Sequence, residues 1–376
     1  MKELGIYVHI PFCKKKCDYC DFISFCDRNE QIEEYIEILK EEINSSLISE
    51  GYKVTTIYIG GGTPSFIDSK YIVEILNLIK EKFYIENAEI TIELNPGTVT
   101  KEKLLNYKKA GINRISIGLQ ETNNELLKQI GRIHTYEEFL ETYNLARKLE
   151  FKNINIDLMI GLPSQSISNI KESLNKIITL NPEHISVYSL ILEEGTKLYQ
   201  KYENKEINMP DEELERNMYW YVKNTLENNG YKHYEISNFS KKGYESKHNV
   251  NCWEQKEYLG FGLSAHSYIN GTRYSNSNEG NQKGQTTFGP LQYKKIIHEE
   301  QNLEDMKKEY MLLGLRKIEG ISIQKFEEKF IENPIFLFRN ELNKLVEQEL
   351  LEVDGDKIRL TNKGLDLANI VWEEFV

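Results

Sequence analysis

The alternation of short β-branched runs with longer helical segments is the feature that most constrains the fold of this chain. Six apolar runs, rich in Ile, Val and Leu, are separated by stretches with apolar side chains at helical spacing. The predicted strands are Leu4–Ile10, Thr55–Ile59, Ala88–Leu94, Asn113–Leu119, Asn153–Ile160 and His184–Leu192. Such a repeat forms right-handed crossovers and a parallel sheet. We therefore predict an α/β fold built on a partial (β/α)6 barrel, with ligand-binding loops at the carboxyl ends of the strands.

The pattern changes after Glu193, so the 376-residue chain is expected to contain more than one unit. We assign residues 1–230 to the barrel, 231–290 to an irregular connecting segment rich in Gly and aromatic residues, and 291–376 to a mainly helical C-terminal domain. Within that domain, Leu351–Leu360 has the pattern of a hairpin with Asp-Gly at its turn. Helices flanking a hairpin predict a winged-helix-like unit.

Charge and hydropathy exclude several classes of function. The net charge of −12 disfavours nucleic-acid binding, which needs a basic face. The start of the chain lacks the apolar core of a signal peptide. No stretch has the roughly 18 uninterrupted apolar residues that a membrane-spanning helix needs. We expect a cytoplasmic protein, and the sequence leaves peripheral contact with a membrane open.

Three of the five cysteines lie close together, directly after the first predicted strand. Their spacing, C-x3-C-x2-C, is formed by Cys13, Cys17 and Cys20. In a reducing compartment, clustered cysteines are more often metal ligands than disulfides. Three thiolates can hold three irons of a [4Fe–4S] cluster and leave the fourth iron open to a small molecule. The alternative is a structural zinc site with His9 as fourth ligand, although zinc sites more often pair two distant C-x2-C knuckles.

Short motifs after the first five predicted strands extend this pattern. They are Y-x-H-x-P-F-C at Tyr7–Cys13, G-G-G-T-P at Gly60–Pro64, I-E-x-N-P at Ile92–Pro96, S-x-G-x-Q at Ser116–Gln120, G-R at Gly131–Arg132 and N-I-D-L-M-x-G-L-P at Asn155–Pro163. In this order they resemble the radical S-adenosylmethionine (SAM) superfamily, in the branch that contains oxygen-independent coproporphyrinogen III oxidase. The resemblance implies a [4Fe–4S] cluster whose open iron is chelated by the amino and carboxylate groups of SAM.

The resemblance also implies roles for individual residues. The implied cluster ligands are Cys13, Cys17 and Cys20. The implied SAM-binding residues are Tyr7, Gly61, Gly62, Thr63, Glu93, Gln120, Arg132 and Asp157. Taken singly, each has an alternative role in a tight turn, at a strand end or on the surface. Taken together, on loops after consecutive strands, they are expected to face one cofactor.

Two departures from the oxidase pattern bear on function. Phe22 stands where the oxidase motif, C-x3-C-x2-C-x-C, has a fourth cysteine, and only twelve residues precede Cys13. Both favour the heme chaperones related to the oxidase. We predict a radical-SAM-type heme chaperone that binds heme and transfers it to apo-hemoproteins, and we assign no catalytic residue. One alternative is oxidase activity, the oxidative decarboxylation of coproporphyrinogen III to protoporphyrinogen IX. Another is a zinc-stabilised interaction module.

A second histidine motif lies in the connecting segment. The run that begins at His248 resembles the H-N-x-x-Y-W motif of the chaperone group, with Cys252 in place of the tyrosine. Because heme iron accepts His, Cys, Met or Tyr, His248 is a hypothetical heme ligand, with Cys252, Tyr258 and His266 as further candidates. The alternative is a hydrogen-bonded structural histidine. The implied partners are heme, apo-hemoproteins including respiratory enzymes at the membrane, and an electron donor such as a flavodoxin, with self-association left open.

Overall fold

A computed structural model describes residues 1–277 and 293–376, and its main element is a mixed 12-stranded sheet. The strands of this sheet are β1 (Lys2–Ile10), β2 (Tyr52–Gly61), β3 (Ile85–Leu94), β4 (Arg114–Gln120), β5 (Ile154–Ile160), β6 (His184–Ser189), β7 (Lys232–Glu235), β8 (Asn238–Ser240), β9 (Tyr258–Phe261), β10 (His266–Ile269), β11 (Thr272–Ser277) and β12 (Lys294–Glu300). The helices that accompany it are α1 (Ile32–Ser45), α2 (Ser69–Lys82), α3 (Lys101–Lys109), α4 (Asn124–Gln129), α5 (Tyr136–Lys148), α6 (Ile167–Leu180), α7 (Lys197–Glu203), α8 (Glu212–Asn228) and α9 (Lys247–Trp253).

The order of the strands confirms the predicted partial barrel. Strands β1 to β6 are parallel neighbours in chain order. Strand β9 pairs with β1 in parallel, and β10, β11 and β12 continue the sheet in antiparallel fashion beyond it. At the other side, β8 and β7 follow β6. The order is therefore linear, from β12 to β7, and the barrel is open.

The two faces of the central strands differ in chemistry. The face toward the helices carries fully buried isoleucines such as Ile92, Ile117 and Ile156, which join one core with the apolar faces of the helices. Each such side chain contributes roughly 1.5–3 kcal/mol by leaving water. Side chains point to alternate faces along a strand, so the intervening residues face the barrel interior. Many of these are polar, and they form the site described below.

The segment 231–290, which we predicted to be irregular, is instead ordered over residues 231–277. It forms strands β7 to β11 and helix α9, whereas residues 278–290 lie outside the described part of the chain. The strands are only three to six residues long, too short to show a clear alternation. Close packing at the corners also explains the glycines: a Cβ at Gly260 would lie 2.2 Å from the backbone oxygen of His266.

The C-terminal part contains helices and a small sheet with a core of its own. Its elements are α10 (Leu303–Gly314), β13 (Ile321–Ser322), α11 (Ile323–Phe330), α12 (Pro334–Leu337), α13 (Arg339–Glu347), β14 (Leu351–Asp354), β15 (Lys357–Leu360), α14 (Asn362–Asp366) and α15 (Ala368–Glu373). The predicted hairpin is confirmed as β14 and β15, with Gly355 at positive φ in the turn. Among the described helices, none is both long and apolar enough to cross a membrane.

Candidate functional site

A cavity of about 480 Å³ lies at the carboxyl ends of the parallel strands, where such a sheet places its ligands. Its volume is in the range of small-molecule binding sites. Ten of the eleven residues predicted for the cluster and SAM line its walls. These ten are Cys13, Cys17, Cys20, Gly61, Gly62, Thr63, Glu93, Gln120, Arg132 and Asp157. The fold therefore brings together residues that are far apart in the sequence.

The loop that carries the cysteines is attached to its surroundings through the backbone. The amide of Cys13 donates to the carbonyl oxygen of Phe25 (2.9 Å), and the amide of Phe25 donates to that of Pro11 (2.7 Å). The amide of Asp18 donates to Ile130 O (3.0 Å), which ties the loop to the end of α4. These backbone hydrogen bonds fix the cysteine loop at the cavity wall.

The thiols are at least partly buried, and the cations Lys16 and Arg132 lie near them. The Thr63 hydroxyl donates to Cys13 Sγ over 3.3 Å. Burial raises the pKa of Cys13, and burial together with the neighbouring Cys17 raises that of Cys20 to about 12. Because metal ligation requires thiolates, loading the site must displace protons. Within residues 1–277 and 293–376 no three His, Cys, Asp or Glu side chains converge on a single metal ion. A four-iron cluster has no such requirement, because each cysteine binds its own iron.

His9 and Tyr7 form a hydrogen-bonded pair behind this wall. The Tyr7 hydroxyl lies 3.0 Å from His9 Nδ1, and His9 Nε2 lies 3.0 Å from Ile23 O. Both ring nitrogens of His9 are thus engaged, which disfavours the zinc alternative with His9 as fourth ligand. Tyr7 is not among the residues that line the cavity. Tyr7 lies beside Tyr58, its register partner on β2, and their rings stack at 6.3 Å; Tyr58 lines the cavity.

The glycine segment after β2 forms a wall of bare backbone. Gly61 has φ +112°, and a Cβ there would lie 2.6 Å from the His9 ring. A Cβ on Gly62 would lie 3.0 Å from Cys13 Sγ. The amide of Gly61 donates to Glu93 Oε2 over 3.2 Å. Side chains are therefore excluded here for steric reasons, and a ligand can approach the backbone directly.

Replacement of Gly61 by alanine is expected to destabilise the protein by roughly 2–5 kcal/mol, from positive-φ strain and overpacking against His9. Gly51→Ala is the matched control, since Gly51 also has positive φ (+81°) but nothing within 4 Å of its would-be Cβ. We expect this control to cost only about 1–2 kcal/mol. Urea unfolding of both variants gives the comparison, and equal losses of stability would refute the steric account of this segment.

Glu93 is the most strongly perturbed carboxyl group of the cavity. Burial raises its pKa to about 7, and the charge of Asp157 adds to this effect. The Tyr58 hydroxyl donates to Glu93 Oε1 over 2.8 Å and opposes the shift. The sequence motifs did not indicate Tyr58, although its position two residues before Gly60 on β2 places both on one face of the strand.

Asp157 is held by a polar network that the motifs only partly indicated. Its carboxylate accepts hydrogen bonds from the Ser116 hydroxyl (3.1 Å) and the Asn155 side-chain amide (2.7 Å). Asn155 Oδ1 in turn lies 2.6 Å from His184 Nδ1. Burial raises the pKa of Asp157, while these donors favour its charged form. The network fixes the orientation of the carboxylate toward the cavity.

Arg132 connects the cysteine loop to β4. Its Nη2 donates to Gly118 O (2.6 Å) and Asn95 Oδ1 (3.1 Å), and its Nη1 approaches Cys17 Sγ at 3.5 Å. The Nε atom is buried and has no hydrogen-bond partner. Such an orphaned donor in a cavity wall is suited to an anionic ligand group. Gln120, at the end of β4, has a positive φ (72°) and lies at a register shift between β4 and β5.

The hypothetical heme ligands lie elsewhere. His248 on α9 is 8% exposed, its Nδ1 lies 2.9 Å from Thr56 Oγ1, and burial lowers its pKa to about 4. Its ring packs against Tyr58 inside the barrel and does not line the cavity. Cys252 is partly buried, and the Tyr258 hydroxyl accepts from Arg273. His266 is exposed and packs against His298. None of these four residues lines the cavity, although His248 and Tyr258 lie close together, since a Cβ at Gly5 would be 3.4 Å from both side chains.

Comparison with known proteins agrees with this geometry. The Radical SAM superfamily profile matches residues 7–177, and that of the HemN C-terminal domain matches residues 301–367. The chain is 39% identical to the heme chaperone HemW of Lactococcus lactis (100% of this chain, 98% of the relative). It is 36% identical to HemW of Bacillus subtilis (98% of each). The coproporphyrinogen III oxidase HemN of Escherichia coli has the same fold (TM-score 0.83, 24% identity, 100% of this chain and 90% of that one). The chain therefore belongs to the radical SAM superfamily and, within it, to the HemW family.

Proposed function

We propose that this protein is a heme chaperone that binds heme and transfers it to apo-hemoproteins. The observation that carries the proposal is the similarity to two heme chaperones over essentially the full length of the chain. Phe22 in place of a fourth cysteine supports it, because the oxidase motif is incomplete here. The shared fold with the oxidase HemN, at 24% identity, says nothing about activity.

Membership of the superfamily implies a [4Fe–4S] cluster and SAM, and the cavity residues fit both groups. Cys13, Cys17 and Cys20 supply three thiol ligands on one wall. Gly61 and Gly62 line the cavity beside Cys13 and present only backbone to it. When both groups are bound, the cluster would supply one electron for reduction of the sulfonium of SAM.

The remaining cavity residues would bind and orient SAM. We assign its positively charged amino group to the region of Glu93 and Gly61, where a carboxylate and backbone are close together. The Nε of Arg132 would pair with its carboxylate, and Asp157, oriented by Ser116 and Asn155, would accept from the ribose hydroxyls. Gln120 and Thr63 complete the polar walls. Tyr7 would act through Tyr58 and His9 rather than by touching SAM.

Heme and the partner proteins belong to the same proposal. His248 remains a hypothetical heme ligand, although its buried position inside the barrel would require α9 to move. We also propose apo-hemoproteins as recipients, including respiratory enzymes at the membrane, an electron donor such as a flavodoxin, and a cytoplasmic location. The residue ranges 1–230, 231–290 and 291–376 remain our proposed domain boundaries.

Heme transfer gives the direct test. We expect the cluster-loaded protein to bind hemin at one equivalent per chain and, after reduction, to convert apomyoglobin to the heme form. The measurement is the growth of the myoglobin Soret band after the two proteins are mixed under anaerobic conditions. The control is free heme at the same concentration, in the presence of albumin as a competing scavenger. Binding without transfer, or transfer that albumin suppresses completely, would contradict the chaperone function.

A further inference from the structure

The outer part of the cavity wall carries apolar side chains that are left in water. Phe22 is 64% exposed, Ile191 is 68% exposed and Tyr188 is 40% exposed, and all three line the cavity. We call these three residues the apolar rim. A group of large apolar side chains exposed at a cavity is typical of a binding surface for a ligand or another protein.

Positive charge lies beside the apolar rim on the cysteine loop. Lys15 and Lys16 line the same cavity, and the ammonium group of Lys16 donates to the carbonyl oxygen of Phe22 over 2.8 Å. Lys15 is exposed. The third cation of the cavity, Arg132, already contacts Gly118, Asn95 and Cys17. An anionic group at the mouth would therefore be attracted mainly by the two lysines.

The carboxyl groups of the mouth limit where such an anion can lie. Asp21 and Glu193 also line the cavity and would repel it. A suitable ligand therefore has an extended apolar face for Phe22 and Ile191, and an anionic group confined to one edge that can turn toward Lys15. A uniformly charged ligand would meet the two carboxylates, and a fully apolar one would not use the positive charge of Lys15.

We propose that the apolar rim binds the face of an iron porphyrin and that Lys15 pairs with one of its propionates. The inference rests on the proposed function, which supplies heme as the ligand. A porphyrin has a wide aromatic face and two carboxylates at one edge, so it matches both the apolar and the cationic part of the surface. Phe22 then has a positive role: an aromatic ring stacks on the macrocycle where the oxidase motif has a cysteine.

The apolar part is tested with the double variant Phe22→Ala/Ile191→Ala. The control is Phe336→Ala/Ile331→Ala, which removes the same two side-chain types at C-terminal positions that are 69% and 86% exposed. Hemin is titrated into each cluster-loaded protein and the Soret difference spectrum is followed. We expect the dissociation constant to rise roughly tenfold or more in the rim variant, from the loss of apolar contact, and to stay near wild type in the control.

The cationic part is tested with the porphyrin as well as with the protein. Hemin dimethyl ester lacks the propionate charges, so esterification should weaken binding to the wild type by about two- to fivefold. In Lys15→Gln most of this preference for the acid should be lost. Lys14→Gln is the control, since Lys14 is exposed on the same loop but does not line the cavity. It should retain the preference for the acid.

The possible outcomes distinguish failure of the proposed heme site from failure of the proposed chaperone function. Failure of the wild type to bind hemin would overturn both. Tight binding that neither the rim variant nor Lys15→Gln alters would leave the chaperone function intact and refute the apolar rim as its heme site. A full complement of iron and sulfide in each variant shows that the fold is retained, so unchanged or weakened binding can be read directly.

Discussion

Replacement of Cys17 by serine is expected to leave the protein unable to retain a [4Fe–4S] cluster. The three cysteines of the C-x3-C-x2-C loop each supply the single protein ligand of one iron, so the loss of one leaves two ligands for a four-iron cluster. After anaerobic reconstitution, the wild type should contain about four irons per chain and absorb broadly near 400 nm. The variant should lose most of both, and Cys13→Ser and Cys20→Ser should behave in the same way.

Cys26→Ser and Cys252→Ser are the matched controls. Both residues are free and partly buried, and neither lines the cavity. They should retain the full iron content. If Cys26→Ser lost iron as Cys17→Ser does, Cys26 would be a ligand and the assignment of three ligands would be wrong. Stoichiometric zinc in place of iron in the purified wild type would revive the zinc alternative.

Replacement of Glu93 by glutamine is expected to weaken SAM binding by roughly 10- to 100-fold at pH 8, because a charged hydrogen-bond partner of the ligand is lost. In the wild type, the affinity should rise with pH up to about 7, the pKa of Glu93 in the ligand-free cavity, and level off above it. The carboxyl group is neutral below this pH and cannot pair with the cationic ligand. Equilibrium dialysis of SAM between pH 6 and pH 8.5 measures both effects.

The titration of SAM itself contributes equally to the pH profiles of the wild type and of Glu93→Gln, so it cancels when the two profiles are compared. Glu86→Gln, on the same strand but outside the cavity, should keep the wild-type profile. A pH profile of Glu93→Gln that is identical to that of the wild type would exclude Glu93 as the titrating group. In the ligand-free protein, the raised pKa also means that stability falls as the pH rises from about 4.5 to about 7, because the unfolded chain releases this proton over that range while the buried carboxyl group keeps it.

The barrel could be predicted from the sequence because periodicity and turn chemistry agree along it. The stretch between the first two predicted strands has apolar residues at helical spacing, and α1 indeed buries Tyr35, Ile36, Leu39 and Ile43 at that spacing. The connecting segment could not be predicted in this way. Its strands are short, and their pairing with β1 and β6 depends on contacts between residues far apart in the sequence.

The cavity residues also divide into those that could be predicted from the sequence and those that could not. Cysteine spacing and glycine motifs identified most of its wall, since those residue types are required by ligand chemistry and by close backbone approach. Tyr58 was missed because an ordinary strand residue carries no local signature, and Asn155 lay in a motif without a role being assigned to it. The resemblance implied that Tyr7 lies in the wall, but the residue that lines the cavity is Tyr58, its register partner on β2. Which of two paired residues reaches a cavity depends on rotamers and neighbours, which one sequence does not reveal.

The central claim is that this chain handles heme and does not oxidise porphyrinogens, and a single preparation can test it. The anaerobically reconstituted protein, with SAM and a reductant, is divided between a hemin titration and an incubation with coproporphyrinogen III. We predict saturable binding of one hemin per chain and no protoporphyrinogen IX. Formation of protoporphyrinogen IX at a catalytic rate would contradict the account and identify the protein as an oxidase.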